Sequence, residues 1–223
     1  MKNELKQTMV SQFPGILVIG GELSTVDQSV EFWSPADNES CVLKDYPRNM
    51  FAGPTVNLVS EELVACYRDS CDIYNNGEWN HLVDTRERRK EHSSAVKDDR
   101  LLLIGGRYSS STEWIPTDGS PSQPGPFDIR HGFWHCTLQI STEIIIVTGG
   151  AFTESYVTKY HLNGDGNETP LTPMTQRRRV HACGVYRGAG GEQVRRVCSL
   201  LWTISILVVL TMVMVMVDNN ACN

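Results

Sequence analysis

Three short runs decide the fold: ILVIGG over residues 16–21, LLLIGG over 101–106 and IIIVTGG over 144–150. Each is an apolar stretch of four or five residues, rich in branched side chains and closed by two glycines. A run this short, stopped by glycine, predicts a buried strand, since a helix needs ten or more periodic residues. The pairs Gly20 and Gly21, Gly105 and Gly106, and Gly149 and Gly150 begin 85 and 44 residues apart, so the first interval holds two units with the middle pair lost. The segment ELVACYRD, around Ala65 and Cys66, stands where that pair would fall. A second register repeats the period: FAG at Phe51, HSS at His92, HCT at His135 and HAC at His181 are spaced 41, 43 and 46 residues apart.

Between these anchors lie further β-branched runs and stretches such as PTDGSPSQPGP, residues 116–126, which no helix accommodates. The chain therefore reads as all-β, and a period in the forties with several short strands per unit fits propeller blades better than helical solenoids. The competing reading is an ordinary β-sandwich in which Gly-Gly marks turns. Aromatic residues recur inside the units: Phe32 and Trp33, Tyr74 and Trp79 in CDIYNNGEW, Trp114, and Tyr160 followed by PMTQRRRVHACGVY. In this pattern of strand, glycine pair, Tyr and Trp, residues 15–193 resemble the kelch-repeat family. The resemblance implies an incomplete kelch-type β-propeller of about four blade units after an N-terminal lead, residues 1–14, the first unit lacking its upstream strand. It also implies a non-enzymatic protein-interaction scaffold. The alternatives are a fragment of a galactose-oxidase-like kelch enzyme, or a ubiquitin-ligase adaptor without its adaptor domain.

Composition narrows the function. In 223 residues, 40% hydrophobic and 21% charged, a net charge of -6 offers no broad basic field for nucleic acid. A protein partner is expected instead, with no cofactor. His131, His135 and Cys136 lie too far apart along a strand to share an ion. Ser93, Ser94 and His92 are adjacent in sequence, which by itself orients no nucleophile, and GxSxG, P-loop and HExxH patterns are absent. The candidate binding loops are the two basic clusters that precede equivalent anchors, carrying Arg88 and Arg89 in TRERRKEH and Arg178 and Arg179 in QRRRVH. Cys66 and Cys71 flank YRDS, where a hairpin would bring them together either as a disulfide or as two buried thiols.

The last unit breaks into an uncharged stretch, Val197 to Val217, whose 21 residues would span about 30 Å as a helix. It is expected to cross a membrane once, leaving a short tail, residues 218–223; the alternatives are a buried strand, since the stretch is rich in β-branched residues, or unrelated sequence from a truncated or mis-spliced frame. Orientation signals conflict. Arg187, Arg195 and Arg196 precede the stretch and no Lys or Arg follows it, which places the repeats in the cytoplasm. The sequons at Asn38 and Asn167 and the pair Cys66 and Cys71 favour an extracellular or luminal side.

Overall fold

A computed structural model describes residues 13–19, 28–34, 39–48, 55–60, 62–163, 168–179, 182–186, 196–200 and 212–217. Gly20, Gly21, Asn38, Phe51, Asn167 and His181 lie outside the described residues. The described residues hold strands and turns and no helix. They form five sheets.

The chain divides into two compact units. The larger comprises residues 54–73 and 81–207, the smaller residues 1–53, 74–80 and 208–223. In the larger unit, β7 (Ser93–Lys97), β8 (Arg100–Ile104), β9 (Ser111–Pro116) and β10 (Gln123–Asp128) make one antiparallel meander. A second consists of β11 (Cys136–Ser141), β12 (Ile144–Thr148), β13 (Val157–His161) and β14 (Glu168–Pro170). The preceding sheet has three strands, β4 (Thr55–Val59), β5 (Glu62–Asn75) and β6 (Glu78–Arg89), the tip of its hairpin falling in the smaller unit. The following sheet pairs β15 (Ala182–Tyr186) with β16 (Arg196–Leu200). The first strands of these four sheets contact one another in chain order, β4 with β7, β7 with β11 and β11 with β15.

Strand β8 shows how the core is organised. Its side chains alternate between faces, and both faces are buried. Leu101 and Leu103, with Ile115, meet Val59, Val64, Cys66, Cys71 and Ile73 of the preceding sheet. Leu102 and Ile104, with Trp114 and Phe127, meet Ile145, Val147, Tyr160 and Leu162 of the following one. Phe127 and Tyr160 stack with centroids 4.6 Å apart. Burying each such side chain contributes on the order of 1.5–3 kcal/mol, so the β7–β10 sheet is held chiefly by the sheets before and after it.

In the smaller unit, β1 (Phe13–Ile19), β2 (Val30–Ser34) and β3 (Glu39–Leu43) form a meander joined by β17 (Met212–Val217), which pairs antiparallel with β1 from Phe13 opposite Val217 to Val18 opposite Met212. The Tyr and Trp of CDIYNNGEW touch here. Tyr74 and Tyr46 each lie 5.1 Å from Trp79, whose indole N–H donates to the carbonyl of Lys44 at 3.0 Å.

Four expectations change. Five sheets replace about four units, and the first unit does not lack an upstream strand, because β17 occupies that place. The helix expected over 197–217 is not seen: β16 and β17 take its two ends into sheets, residues 201–211 lie outside the described residues, and no described helix is long and apolar enough to cross a membrane. Alternating Val and Met serve a strand as well as a helix, so apolar composition did not separate the two. The lost glycine pair also moves. Thr55, Ser93 and Cys136 open their sheets opposite Cys66, Ile104 and Thr148, which makes Tyr67 and Arg68, not Ala65 and Cys66, the counterparts of Gly105 and Gly106. Arg68 still takes the left-handed backbone of the lost glycine, with φ 59°. Lastly, TRERRKEH is not a loop throughout, since β6 continues to Arg89.

Gly150 shows why the pairs recur: its φ is +106°, and an added Cβ would run into the carbonyl oxygen of His131. Gly119 also has positive φ, +79°, with open space around it. Gly119→Ala is therefore expected to cost about 1 kcal/mol from backbone strain alone. Gly150→Ala should cost at least about 2 kcal/mol more, as measured by urea denaturation, because backbone must move as well. Equal losses would contradict the close approach.

Candidate functional site

Where each sheet ends, its exit loop crosses to the glycine pair of the next. Arg107 N–H donates to the carbonyl of Lys90 at 2.8 Å, and Ala151 N–H to that of Phe133, also at 2.8 Å. The glycines also bond the exit loops of their own sheets, Gly106 N–H donating to the carbonyl of Gly132 and Gly150 N–H to that of Arg178, at 3.3 and 3.1 Å. Residues 88–92, 105–110, 130–135, 149–156 and 177–179 thus make one laced set of loops on the larger unit.

Beneath the loops, two buried side chains do equivalent work. Arg89 is 1% exposed. It donates to the carbonyls of Gly105 and Ser111 at 3.0 and 2.6 Å, to both Ser109 and Ser111 hydroxyls, and to the Glu113 carboxylate at 3.3 Å. One sheet on, His131 donates from Nδ1 to the carbonyl of Gly149 and accepts the Thr158 hydroxyl at Nε2, at 2.9 and 2.8 Å. Gly149 is the counterpart of Gly105, and Thr158 that of Glu113, because Ile104 pairs with Thr112 and Thr148 with Val157. Arg89 is therefore structural and not a binding-loop residue. Its neighbour Arg88, on the other face of β6, is exposed.

The accessible surface of these loops combines cations with rings. The Arg107 guanidinium lies 5.7 Å from the centre of Phe133, Arg179 5.9 Å from Trp134 and Arg88 5.7 Å from Tyr108. Phe133 packs against Trp134 at 4.6 Å and against Phe152 at 6.1 Å. Phe152 is 91% exposed, and it, Tyr108 and Tyr156 are three of the five large apolar residues exposed among the described residues. Glu91 approaches Arg107 at 3.9 Å, and burial pushes its carboxyl above the usual range against the pull of that cation. Three non-glycine residues here have left-handed backbone: Glu91 at 57°, Trp134 at 60° and Phe152 at 74°. Such conformations cost about 1–3 kcal/mol each and persist where the surroundings enforce them. Of the sequence candidates, Arg88 and Arg179 join this surface. Arg178 is half-buried beside it, its N–H on the carbonyl of Glu154.

His92, His131 and His135 form no metal cluster among the described residues. His135 donates from Nδ1 to the carbonyl of Gly132 at 3.1 Å and accepts the Ser93 hydroxyl at Nε2 at 2.7 Å. That hydroxyl also meets Thr137 of the neighbouring first strand, so the Ser93 and His135 pair laces β7 to β11. Sequence inspection missed Phe133, Trp134 and Phe152 as surface residues, although FW stands between two repeat anchors.

His92 lies under the loops with both ring nitrogens buried and neither bonded to a described residue. Burial, with Arg89 and His135 nearby, lowers its pKa to about 3. As pH falls through the unfolded value near 6.5, the unfolded chain gains a proton that the native state refuses, so stability is lost toward acid at up to about 1.4 kcal/mol per pH unit. Between pH 7 and 4, wild type should lose about 2–3 kcal/mol more than His92→Phe in urea denaturation. Parallel losses would contradict a neutral buried imidazole.

A search against protein families and one against curated proteins each find no match. Among solved structures, 154 chains match. One, the protein in "Structure of YjhT", has a TM-score of 0.61 at 10% identity, covering 77% of this chain and 70% of that one. At that identity the likeness concerns the fold alone.

Proposed function

We propose that the chain is a non-enzymatic binding scaffold built from kelch-type β-propeller blades, and that the loop surface around Phe152 takes an acidic protein partner. The blade assignment draws on three features of the larger unit: successive four-stranded meanders, first strands that touch in order, and a strand, β8, buried against a sheet on either side. Glycine pairs end the second strands at Gly105 and Gly149. The binding assignment rests on one observation, the placing of Arg107, Arg179 and Arg88 over aromatic rings beside an almost fully exposed Phe152.

The physics favours a protein ligand with carboxylates and apolar groups. The chain as a whole carries -6, yet this surface presents Arg88, Arg107, Arg177 and Arg179, a local positive field on an acidic molecule. Rings that hold guanidinium groups in place reduce the entropy lost when a carboxylate pairs with them. Exposed aromatic and arginine side chains are the types that anchor protein interfaces. Loops fixed by a rigid sheet scaffold are where binding resides in repeat proteins.

A photo-crosslinking amino acid at position 152 should capture a protein in cells, and Arg107→Glu should reduce the yield at least about tenfold, as should raising the salt of a lysate before it is irradiated. The same crosslinker at Ser120, on an exposed turn, should capture nothing specific. Equal capture at both positions, or no effect of Arg107→Glu, would refute the assignment of this surface.

A further inference from the structure

We infer that the chain matures outside the cytosol by thiol oxidation, and that a bridge between Cys136 and Cys183 is the covalent form of a contact made elsewhere by two hydroxyls. Each cysteine with a described side chain, Cys41, Cys66, Cys71, Cys136 and Cys183, is disulfide-bonded. The placing of the Cys136 and Cys183 pair carries the inference. Cys136 is the first residue of β11 and Cys183 the second of β15, so the bond ties neighbouring first strands 47 residues apart in sequence.

Ser93 is likewise the first residue of β7 and Thr137 the second of β11, and their hydroxyls hydrogen-bond. One sheet further along, the pair of oxygens has become a pair of sulfurs. The Cα atoms of Cys136 and Cys183 are 6.1 Å apart, within the usual span of a disulfide. The second bridge, Cys66 to Cys71, encloses Tyr67 and Arg68, the counterparts of the lost glycine pair, and so closes the bend that glycines make in the other units. Both bridges sit at recurring positions of the repeat, one in the core cluster between two sheets and one between two strands, as structural bonds would.

Each bridge forms when two thiols give up two protons and two electrons to the disulfide of a thiol–disulfide oxidant, which leaves as a dithiol. The cytosol keeps such thiols reduced, whereas secretory, extracellular and periplasmic compartments supply that oxidant. The inference therefore opposes the cytoplasmic side suggested by the arginines before Val197.

The test is a tryptic map of the full chain isolated from its own cells with thiols blocked at lysis and no reductant. Trypsin cuts after Arg68, between Cys66 and Cys71, and separates Cys136 from Cys183. Residues 49–68 should emerge joined to 69–86, and 131–159 joined to 180–187. Recovery of these peptides separately and alkylated would overturn the inference. Cys136→Ser combined with Cys183→Thr, which recreates the Ser93 and Thr137 pair, should fold with Tm lowered by roughly 5–15 °C and respond less to reductant than wild type. A wild-type Tm indifferent to reductant would overturn the structural role of the bridges.

Discussion

Arg89 holds together what the rest of the larger unit depends on. Its guanidinium, buried at the end of β6, gathers the carbonyl of Gly105, the Ser109 and Ser111 groups and the Glu113 carboxylate of the next sheet. A buried charge is tolerated only when paired and hydrogen-bonded, and removing one partner of such a pair typically costs about 3–5 kcal/mol. The neighbouring sheets meet through nondirectional apolar surfaces, which fix no register by themselves. The polar lock does, and His131 repeats it one sheet on with a neutral ring and a threonine. With the lock set, the glycine pairs approach the exit loops, and the loops carry Phe133, Trp134 and Phe152 to the surface.

The period of the glycine pairs made the sheets legible in the sequence, and the anchors at His92 and His135 marked the starts of β7 and β11. What escaped were relations between units. Arg88 and Arg89 looked alike as loop cations, yet the alternation of a strand sends one to solvent and the other into the core. Phe51 anchored its unit four residues before the strand that begins at Thr55, because the second unit differs in length. Cys136 and Cys183 meet only because first strands lie side by side, and no local signal in the sequence reports that neighbour. The two described ends of the stretch from Val197 are strands for a simpler cause: branched and alternating apolar residues satisfy a strand in a sheet as well as a helix.

The loop surface follows from the same constraint. Left-handed backbone at Glu91, Trp134 and Phe152 and an exposed phenylalanine are costly arrangements, and the laced hydrogen bonds beneath hold them. A rigid underside with an exposed aromatic and cationic top is what a binding scaffold requires, since little ordering remains to oppose association.

The central claim is that a buried polar lock joins successive sheets, and a double-mutant cycle on Arg89→Leu and Glu113→Leu tests it most directly. The account predicts a large loss for each single change and partial recovery in the double, with a coupling of at least about 2 kcal/mol by urea denaturation. Losses that simply add, within about 0.5 kcal/mol, would contradict it.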